Sequence, residues 1–234
     1  MKKVGLEFLA SFFYLFIGCL LEILILKYFP WNNFLLEILL ISILFSFSFG
    51  ITYIIGNLYE KIEVNPIFTF SLWLRNQVSG RNALVTILSQ VFGAVLAGGI
   101  ISLFFKSDMA TIVVGYGEFS MLNSSLDSVI LIEFLFSFIL VFCFLALQDR
   151  IKSTKLSGIL YSLLFFILLF LSIPYSGGCV NSNRSVVTNI FVNSDSLRQL
   201  WIYFLSSFAG TVFATIIYHI YHQVNNKVSL QHFS

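Results

Sequence analysis

Six long apolar runs constrain this chain more than any single motif does. They cover residues 4–27, 34–56, 83–105, 128–147, 157–173 and 199–222. A helix of about 20 apolar residues crosses a hydrocarbon core of roughly 30 Å, and only the fifth run needs its flanks to complete a crossing. Because the chain is also 58% hydrophobic and 10% charged, the sequence predicts an all-α membrane protein with six transmembrane helices rather than a soluble domain.

Basic residues are distributed unevenly between the two sets of connecting segments. If the N-terminus is inside, the inner segments hold Lys2, Lys3, Lys61, Arg75, Arg81, Arg150, Lys152, Lys155 and Lys227, and the outer ones hold only Lys27, Lys106, Arg184 and Arg198. Because short basic loops stay in the cytoplasm, we expect both termini to be cytoplasmic. The net charge of +2, without a long basic run, gives no indication of a nucleic-acid partner.

The first and fourth runs share a motif, which indicates an internal repeat. When the chain is aligned on Glu7 and Glu133, six of the ten residues from each glutamate onward are identical. Similar spacings follow in the two halves, from Asn65 to Gly93 and from Asn181 to Gly210. A unit that crosses the membrane three times reverses the direction of its second copy. The sequence thus predicts one transmembrane domain over residues 1–234, built as an inverted three-span repeat with halves 1–105 and 127–222.

Two polar segments interrupt the apolar pattern at equivalent places in the halves. Their sequences are Asn65-Pro66-Ile67 and Asn181-Ser182-Asn183. Asparagine favours the helix N-cap, and proline favours the first helical position. Irregular backbone at membrane depth is tolerated where it lines a water-filled cavity or is buried in protein. We therefore expect two re-entrant half-helices, ending near Arg75 and near Val192, that meet at the midplane of the membrane beside a pore.

Opposed half-helices would give such a pore a defined chemistry. Each half-helix directs its positive end at the midplane, which repels cations and hydronium. The amides of Asn65 and Asn181 add hydrogen-bond donors for a passing oxygen atom, so a neutral hydroxylated solute passes while an ion does not. Arg184 would lie one turn beyond Asn181 on the outer side. The alternative for Arg184 is an interfacial side chain that extends to water.

Glu7 and Glu133 lie inside predicted spans, where a charge is costly unless it has partners. We expect both carboxylates to accept hydrogen bonds from backbone amides of the returning half-helices rather than to carry protons. The three cysteines are too few and too apolar in their setting to indicate a metal site, and His219 and His222 lack a third ligand. No arrangement of side chains indicates an enzyme.

Together these motifs resemble those of the aquaporin, or major intrinsic protein, family. The resemblance rests on a Glu-Phe-Leu-Ala-Ser-Phe block that begins at Glu7, on the two Asn motifs in place of Asn-Pro-Ala, on Arg184-Ser185, and on Gln90, Gly93, Ala94, Ala97 and Gly98 in the third span. It implies an aquaporin-like fold with six spans and two half-helices, in a divergent member of the family. It also implies a homotetramer with one passive pore per subunit and no cofactor.

The resemblance also implies the composition of a selectivity filter. By position, the filter would comprise Arg184, Gly178 and Leu169, with Phe45 or Leu44 from the second span. Water-selective relatives often carry a histidine where Leu169 lies. The resemblance therefore implies a wider, less polar filter that passes water together with glycerol or another small uncharged solute.

Departures from the family motifs leave other functions open. Ile67, Ser182 and Asn183 replace residues at the tips of the half-helices, so a non-conducting junction or scaffold protein with the same fold is the main alternative. A secondary transporter is a further alternative, because inverted repeats are common in that class. A transporter would need an acidic residue near the midplane, whereas Glu7 and Glu133 lie near the starts of their spans.

Overall fold

The computed structural model describes residues 2–29, 33–192 and 195–231. Six helices in this part of the chain are long and apolar enough to cross a membrane. They are α1 (Lys2–Tyr28), α2 (Phe34–Asn57), α4 (Gly80–Phe105), α5 (Leu126–Arg150), α6 (Thr154–Ser176) and α8 (Leu200–Gln231). Two short helices lie between them, α3 (Pro66–Leu74) and α7 (Ser182–Asn189). The predicted all-α fold with six spans and two half-helices is confirmed.

Local capping extends several helices beyond the apolar runs. The Ser79 hydroxyl accepts a hydrogen bond from the Asn82 amide, so α4 begins at Gly80. The Ser153 hydroxyl caps α6 in the same way. At the other end of α6, Gly177 adopts a left-handed conformation with φ of 78° and terminates the helix. With these flanks α6 reaches 23 residues, enough for a full crossing.

The long helices pack in the same way in the two halves of the chain. Helix α1 packs against α2 and α4, and α5 packs against α6 and α8. A Cβ atom added to Gly93 of α4 would overlap the carbonyl oxygen of Phe8 in α1, and one added to Gly210 of α8 would overlap that of Phe134 in α5. Glycine at these two positions therefore allows equivalent close contacts between helices.

The two short helices end slightly earlier than the sequence predicts. Helix α3 ends at Leu74 with Arg75 as its C-cap, close to expectation. The predicted end of α7 near Val192 is wrong, because the helix ends at Asn189. The Oδ1 of Asn189 accepts a hydrogen bond from the Val114 amide, and its Nδ2 donates to the carbonyls of Val114 and Ser196. These bonds hold residues 106–125, here called the cavity loop, against the end of α7.

Candidate functional site

The two capping asparagines meet where α3 and α7 begin. The Oδ1 of Asn65 accepts from the Ile67 amide at 3.2 Å, and the Oδ1 of Asn181 accepts from the Asn183 amide at 3.1 Å. Their Nδ2 groups reach across to the opposite segment. Asn65 donates to the Val180 carbonyl at 3.5 Å, and Asn181 donates to the Val64 carbonyl at 3.3 Å. The structure thus brings the two predicted asparagines together at the tips of opposed helices, which open with Pro66 and Ser182.

Each asparagine is preceded by a valine in the left-handed region of backbone space. The φ angle is 64° at Val64 and 44° at Val180, a region that β-branched residues rarely occupy. The carboxylate of Glu7 accepts the Val64 amide at 2.9 Å and the preceding amide at 2.7 Å. That of Glu133 accepts the Val180 amide and the preceding one, each at 3.2 Å. Two buried carboxylates therefore hold the two strained segments in matching ways.

Both carboxylates also receive a side-chain hydrogen bond. The Nε2 of Gln90 donates to Glu7 at 2.9 Å, and the hydroxyl of Ser176 donates to Glu133 at 2.6 Å. In the first half a second buried acid, Glu63, lies next to this group and pairs with Lys3 at 2.8 Å. Burial of these charges is compensated by several donors, as burial of a carboxylate requires.

Residues that differ from the family motifs lie at the tips of the half-helices. Ile67 is buried in the core. The hydroxyl of Ser182 and both amide atoms of the Asn183 side chain are buried and have no hydrogen-bond partner among the described residues. The second tip is therefore richer in unpaired polar atoms than the first.

The four residues of the predicted filter lie side by side. The guanidinium of Arg184 donates to the carbonyl oxygens of Gly177 and Gly178, and its Cζ lies 4.5 Å from the centre of the Phe45 ring. A Cβ added to Gly178 would lie 3.2 Å from Leu169. Of the two candidates in the second span, Phe45 is the one beside Arg184; Leu44 is only half-buried.

One partner of Arg184 was missed in the sequence. Glu22 of α1 accepts a hydrogen bond from its Nη2 at 2.7 Å, and both side chains are buried. Arg184 is only 1% exposed, so the alternative of an interfacial arginine reaching water is wrong. A usable signal was present, because Glu22 is a second acid inside the first apolar run, and an ionisable residue in a span calls for a partner.

Aromatic rings fill the space one turn from the filter. The rings of Phe49 in α2 and Phe165 in α6 stack with centroids 4.7 Å apart and planes within 9°. The ring of Tyr14 in α1 packs edge-on against both. Farther along, Phe68 of α3 stacks on Phe144 of α5 at 4.0 Å. The region between these helices is therefore filled with aromatic rings.

A cavity opens on the other side of the filter, beneath the cavity loop. Its volume is about 180 Å³, and its lining includes Glu22, Arg184 and Gly177 together with loop residues such as Thr111 and Glu118. Among the described residues, no group of three or more His, Cys, Asp or Glu side chains is placed to hold a metal ion. The chemistry of the site is therefore that of fixed hydrogen-bonding groups beside apolar rings.

The sequence model of the major intrinsic protein family matches residues 1–218. The chain belongs to that family. Its members are passive channels, so this major intrinsic protein is a channel-type integral membrane protein and not an enzyme.

Relatives of this major intrinsic protein match it over nearly its whole length. Aquaporin Z of Photorhabdus laumondii is 25% identical over 232 residues, which cover 94% of this chain and 97% of that protein. The glycerol uptake facilitator protein-like 6 of Lactiplantibacillus plantarum is 22% identical over 216 residues, covering 92% and 95%. The aquaglyceroporin of Plasmodium falciparum has the same fold, with a TM-score of 0.78 at 14% identity over 93% of this chain and 94% of that one.

Proposed function

We propose that this protein is a passive channel for water and small uncharged solutes such as glycerol. The observation that carries the proposal is the reciprocal contact of Asn65 and Asn181, each of which caps one half-helix and donates to the backbone of the other. Each amide NH₂ carries two hydrogens and uses one in that contact. The second is suited to a passing oxygen atom. The names of relatives, an aquaporin and a glycerol facilitator, support the same solute class.

Ion exclusion in this proposal follows from the direction of the half-helices. Both α3 and α7 begin at the shared tip, so both direct the positive ends of their dipoles there. A cation on the path between the tips would meet two like-signed ends and would find only amide donors from Asn65 and Asn181. A neutral solute loses little free energy in the same place, because its oxygen atoms accept hydrogen bonds from those amides.

Solute choice is proposed to depend on the two sides of the filter. Phe45 and Leu169 form an apolar side, while Arg184 and the Gly178 carbonyl form a polar one. A molecule with a hydrocarbon face and a row of hydroxyls, such as glycerol, fits that division. We further propose that the protein is a homotetramer with a pore in each subunit, and that both termini are cytoplasmic.

The test is a permeability measurement on purified protein in liposomes. Osmotic shrinkage and glycerol influx, followed by light scattering, should both exceed those of empty liposomes prepared in parallel. The variant Arg184→Val should raise the glycerol-to-water ratio, because it removes the largest polar side chain of the filter. Folded protein with the permeability of empty liposomes would refute the channel, and an unchanged ratio in Arg184→Val would refute the filter assignment.

A non-conducting scaffold is the second candidate, favoured by one observation. The side chains of Asn65 and Asn181 are fully buried, and those of Phe45 and Leu169 are as well. In this conformation these side chains leave no surface to a water molecule. A channel must therefore separate them by side-chain motion, whereas a scaffold need not. The liposome assay above distinguishes the two.

A further inference from the structure

A buried carboxylate lies directly beside the filter arginine. Glu22 comes from α1, and Arg184 from α7, so the contact joins two elements far apart in sequence. Their closest N–O distance is 2.7 Å, and Glu22 is 5% exposed. The motifs that place Arg184 in the family do not include Glu22, and the function proposed above does not use it.

Each of the two side chains has one polar atom without a hydrogen-bond partner among the described residues. Arginine has five N–H donors. Those on Nη1 serve the carbonyls of Gly177 and Gly178, and Nη2 serves the Oε1 of Glu22. The Nε of Arg184 and the Oε2 of Glu22 are buried and have no partner among the described residues. Because buried polar atoms are nearly always paired, this donor and this acceptor indicate a place where a passing molecule binds.

The position of the pair fits that interpretation. Glu22 and Arg184 both line the cavity beneath the cavity loop, while Arg184 also contacts Phe45 in the filter. A solute that moves from the cavity into the filter therefore meets the carboxylate and the guanidinium together. It meets them before it reaches the asparagines.

The pair also sets the charge of the constriction. A lone guanidinium would give the filter a charge of +1, but a carboxylate in contact with it brings the sum to zero. At such short range and in a medium of low polarity, the two charges largely cancel for a more distant ion. The exclusion of cations then depends on the half-helix ends, and the filter is free to recognise solutes by hydrogen bonding.

We propose that Glu22 is a specificity-determining residue of this channel. It neutralises Arg184 and supplies an acceptor beside a guanidinium donor, so that the filter favours neutral solutes carrying neighbouring donor and acceptor groups, such as polyols. The inference rests on the proposed channel function. Glu22 acts partly through Arg184, and the test must therefore separate their coupling from a general loss of structure.

The experiment is a double-mutant cycle in liposomes with Glu22→Gln, Arg184→Val and the two combined. Each variant is measured for water permeability, glycerol permeability and proton leak under a pH gradient. Glu60→Gln is the matched control, because it removes the same charge from an exposed side chain that does not line the cavity beneath the cavity loop. Circular dichroism and gel filtration report folding.

Glu22→Gln keeps the shape of the side chain but removes its charge. The glycerol-to-water ratio should fall by roughly threefold or more, because an amide oxygen accepts a hydroxyl less strongly than a carboxylate does. Proton leak should be highest in Arg184→Val, which leaves a net negative filter, and lowest in Glu22→Gln, which leaves a net positive one. In the combined variant the glycerol-to-water ratio should stay close to that of Arg184→Val, because Glu22 has lost the guanidinium beside which it acts. Two independent effects of opposite sign would instead bring the ratio back towards that of the parent protein. Glu60→Gln should leave all three rates at the values of the parent protein.

Each outcome separates this inference from the channel proposal. If the parent protein does not conduct, the channel proposal fails. If it conducts and Glu22→Gln changes neither the glycerol-to-water ratio nor the proton leak, the role of Glu22 is overturned. The role is also overturned if the change in the ratio in the combined variant equals the sum of the two separate changes. Should Glu22→Gln lose its fold, recovery of melting temperature in the combined variant supports the pairing, and lack of recovery contradicts it.

Discussion

At the scale of the residue, the meeting point of the two half-helices depends on two acidic side chains that hold strained backbone in place. A valine in the left-handed region costs on the order of 1–3 kcal/mol, and Val64 and Val180 both adopt it. In this conformation the carbonyl of each valine accepts a hydrogen bond from the asparagine of the other half. Glu7 and Glu133 offset it by binding the amides of the same turns. Support of the half-helices by these acids is thus the role that the contacts favour.

Replacing Glu133 by glutamine should destabilise the protein. The carboxylate accepts from two amides and from the Ser176 hydroxyl, whereas glutamine has a single acceptor oxygen and turns an NH₂ group towards a donor. We expect the free energy of unfolding of the variant to be lower by about 2 kcal/mol, which is typical of a lost hydrogen bond to a charged group. Thermal unfolding in detergent measures this, with the exposed Glu60→Gln as control. Equal melting temperatures for Glu133→Gln and the parent would contradict the supporting role.

The residues that meet at the half-helix tips could be predicted from the sequence motifs, but the ion pair of Arg184 with Glu22 could not. Asn65, Asn181 and Arg184 could be singled out because their types and spacings match a short local pattern. The partner of Arg184 could not be identified in that way. Glu22 reaches it only because α1 packs beside α7, and no local spacing encodes that contact. Choosing Phe45 over Leu44 likewise required the actual rotation of α2 about its axis.

At the scale of the element, close helix contacts at two glycines join each half of the molecule. The backbones of α1 and α4 touch at Gly93, and those of α5 and α8 touch at Gly210. Both contacts follow from the small-residue pattern in the sequence, since the apolar runs and their glycines are local features. The end of α7 was not predictable in the same way, because the side chain of its last residue, Asn189, binds the backbone of the cavity loop.

Gly93→Ala and Gly210→Ala should destabilise the protein by similar amounts. Each added methyl group would overlap a backbone carbonyl oxygen, so the helices must separate, at a cost of about 1–3 kcal/mol. Gly5→Ala is the matched control, because nothing lies within 4 Å of its added Cβ. In that helical position alanine should be neutral or stabilising. Melting temperatures check all three variants, and an effect confined to one half would contradict equivalent packing.

At the scale of the whole molecule, the two halves are joined by the asparagine tips and by stacked aromatic rings. Phe49 of α2 lies on Phe165 of α6, and Phe68 of α3 lies on Phe144 of α5. The membrane topology could be predicted from hydropathy because lipid imposes it on the sequence. The width of the proposed solute path could not be predicted, since it depends on which rotamers the buried rings adopt. Composition shows many phenylalanines without showing which of them face each other.

Truncation of one stacked ring should therefore reveal whether this region limits flow. Phe49 lies one turn from Phe45 on the same face of α2, and its ring contacts Tyr14, Phe68 and Phe165. Phe49→Ala removes a ring from the aromatic layer next to the filter, so water and glycerol permeability per folded protein should rise several-fold in liposomes. Phe47→Ala is the matched control, because Phe47 is 63% exposed on the outside of the same helix. It should leave both rates unchanged.

The size of the response distinguishes two kinds of closed conformation. If the rings alone block the route, Phe49→Ala raises water and glycerol permeability together, and the milder Phe49→Leu gives an intermediate increase. If the filter beside Arg184 is also limiting, the gain is greater for water, which is the smaller of the two solutes. Folded Phe49→Ala with the parent's permeability to both solutes would place Phe49 away from the route. The aromatic stack would then serve only to join α2 to α6, as tightly packed rings do in any core.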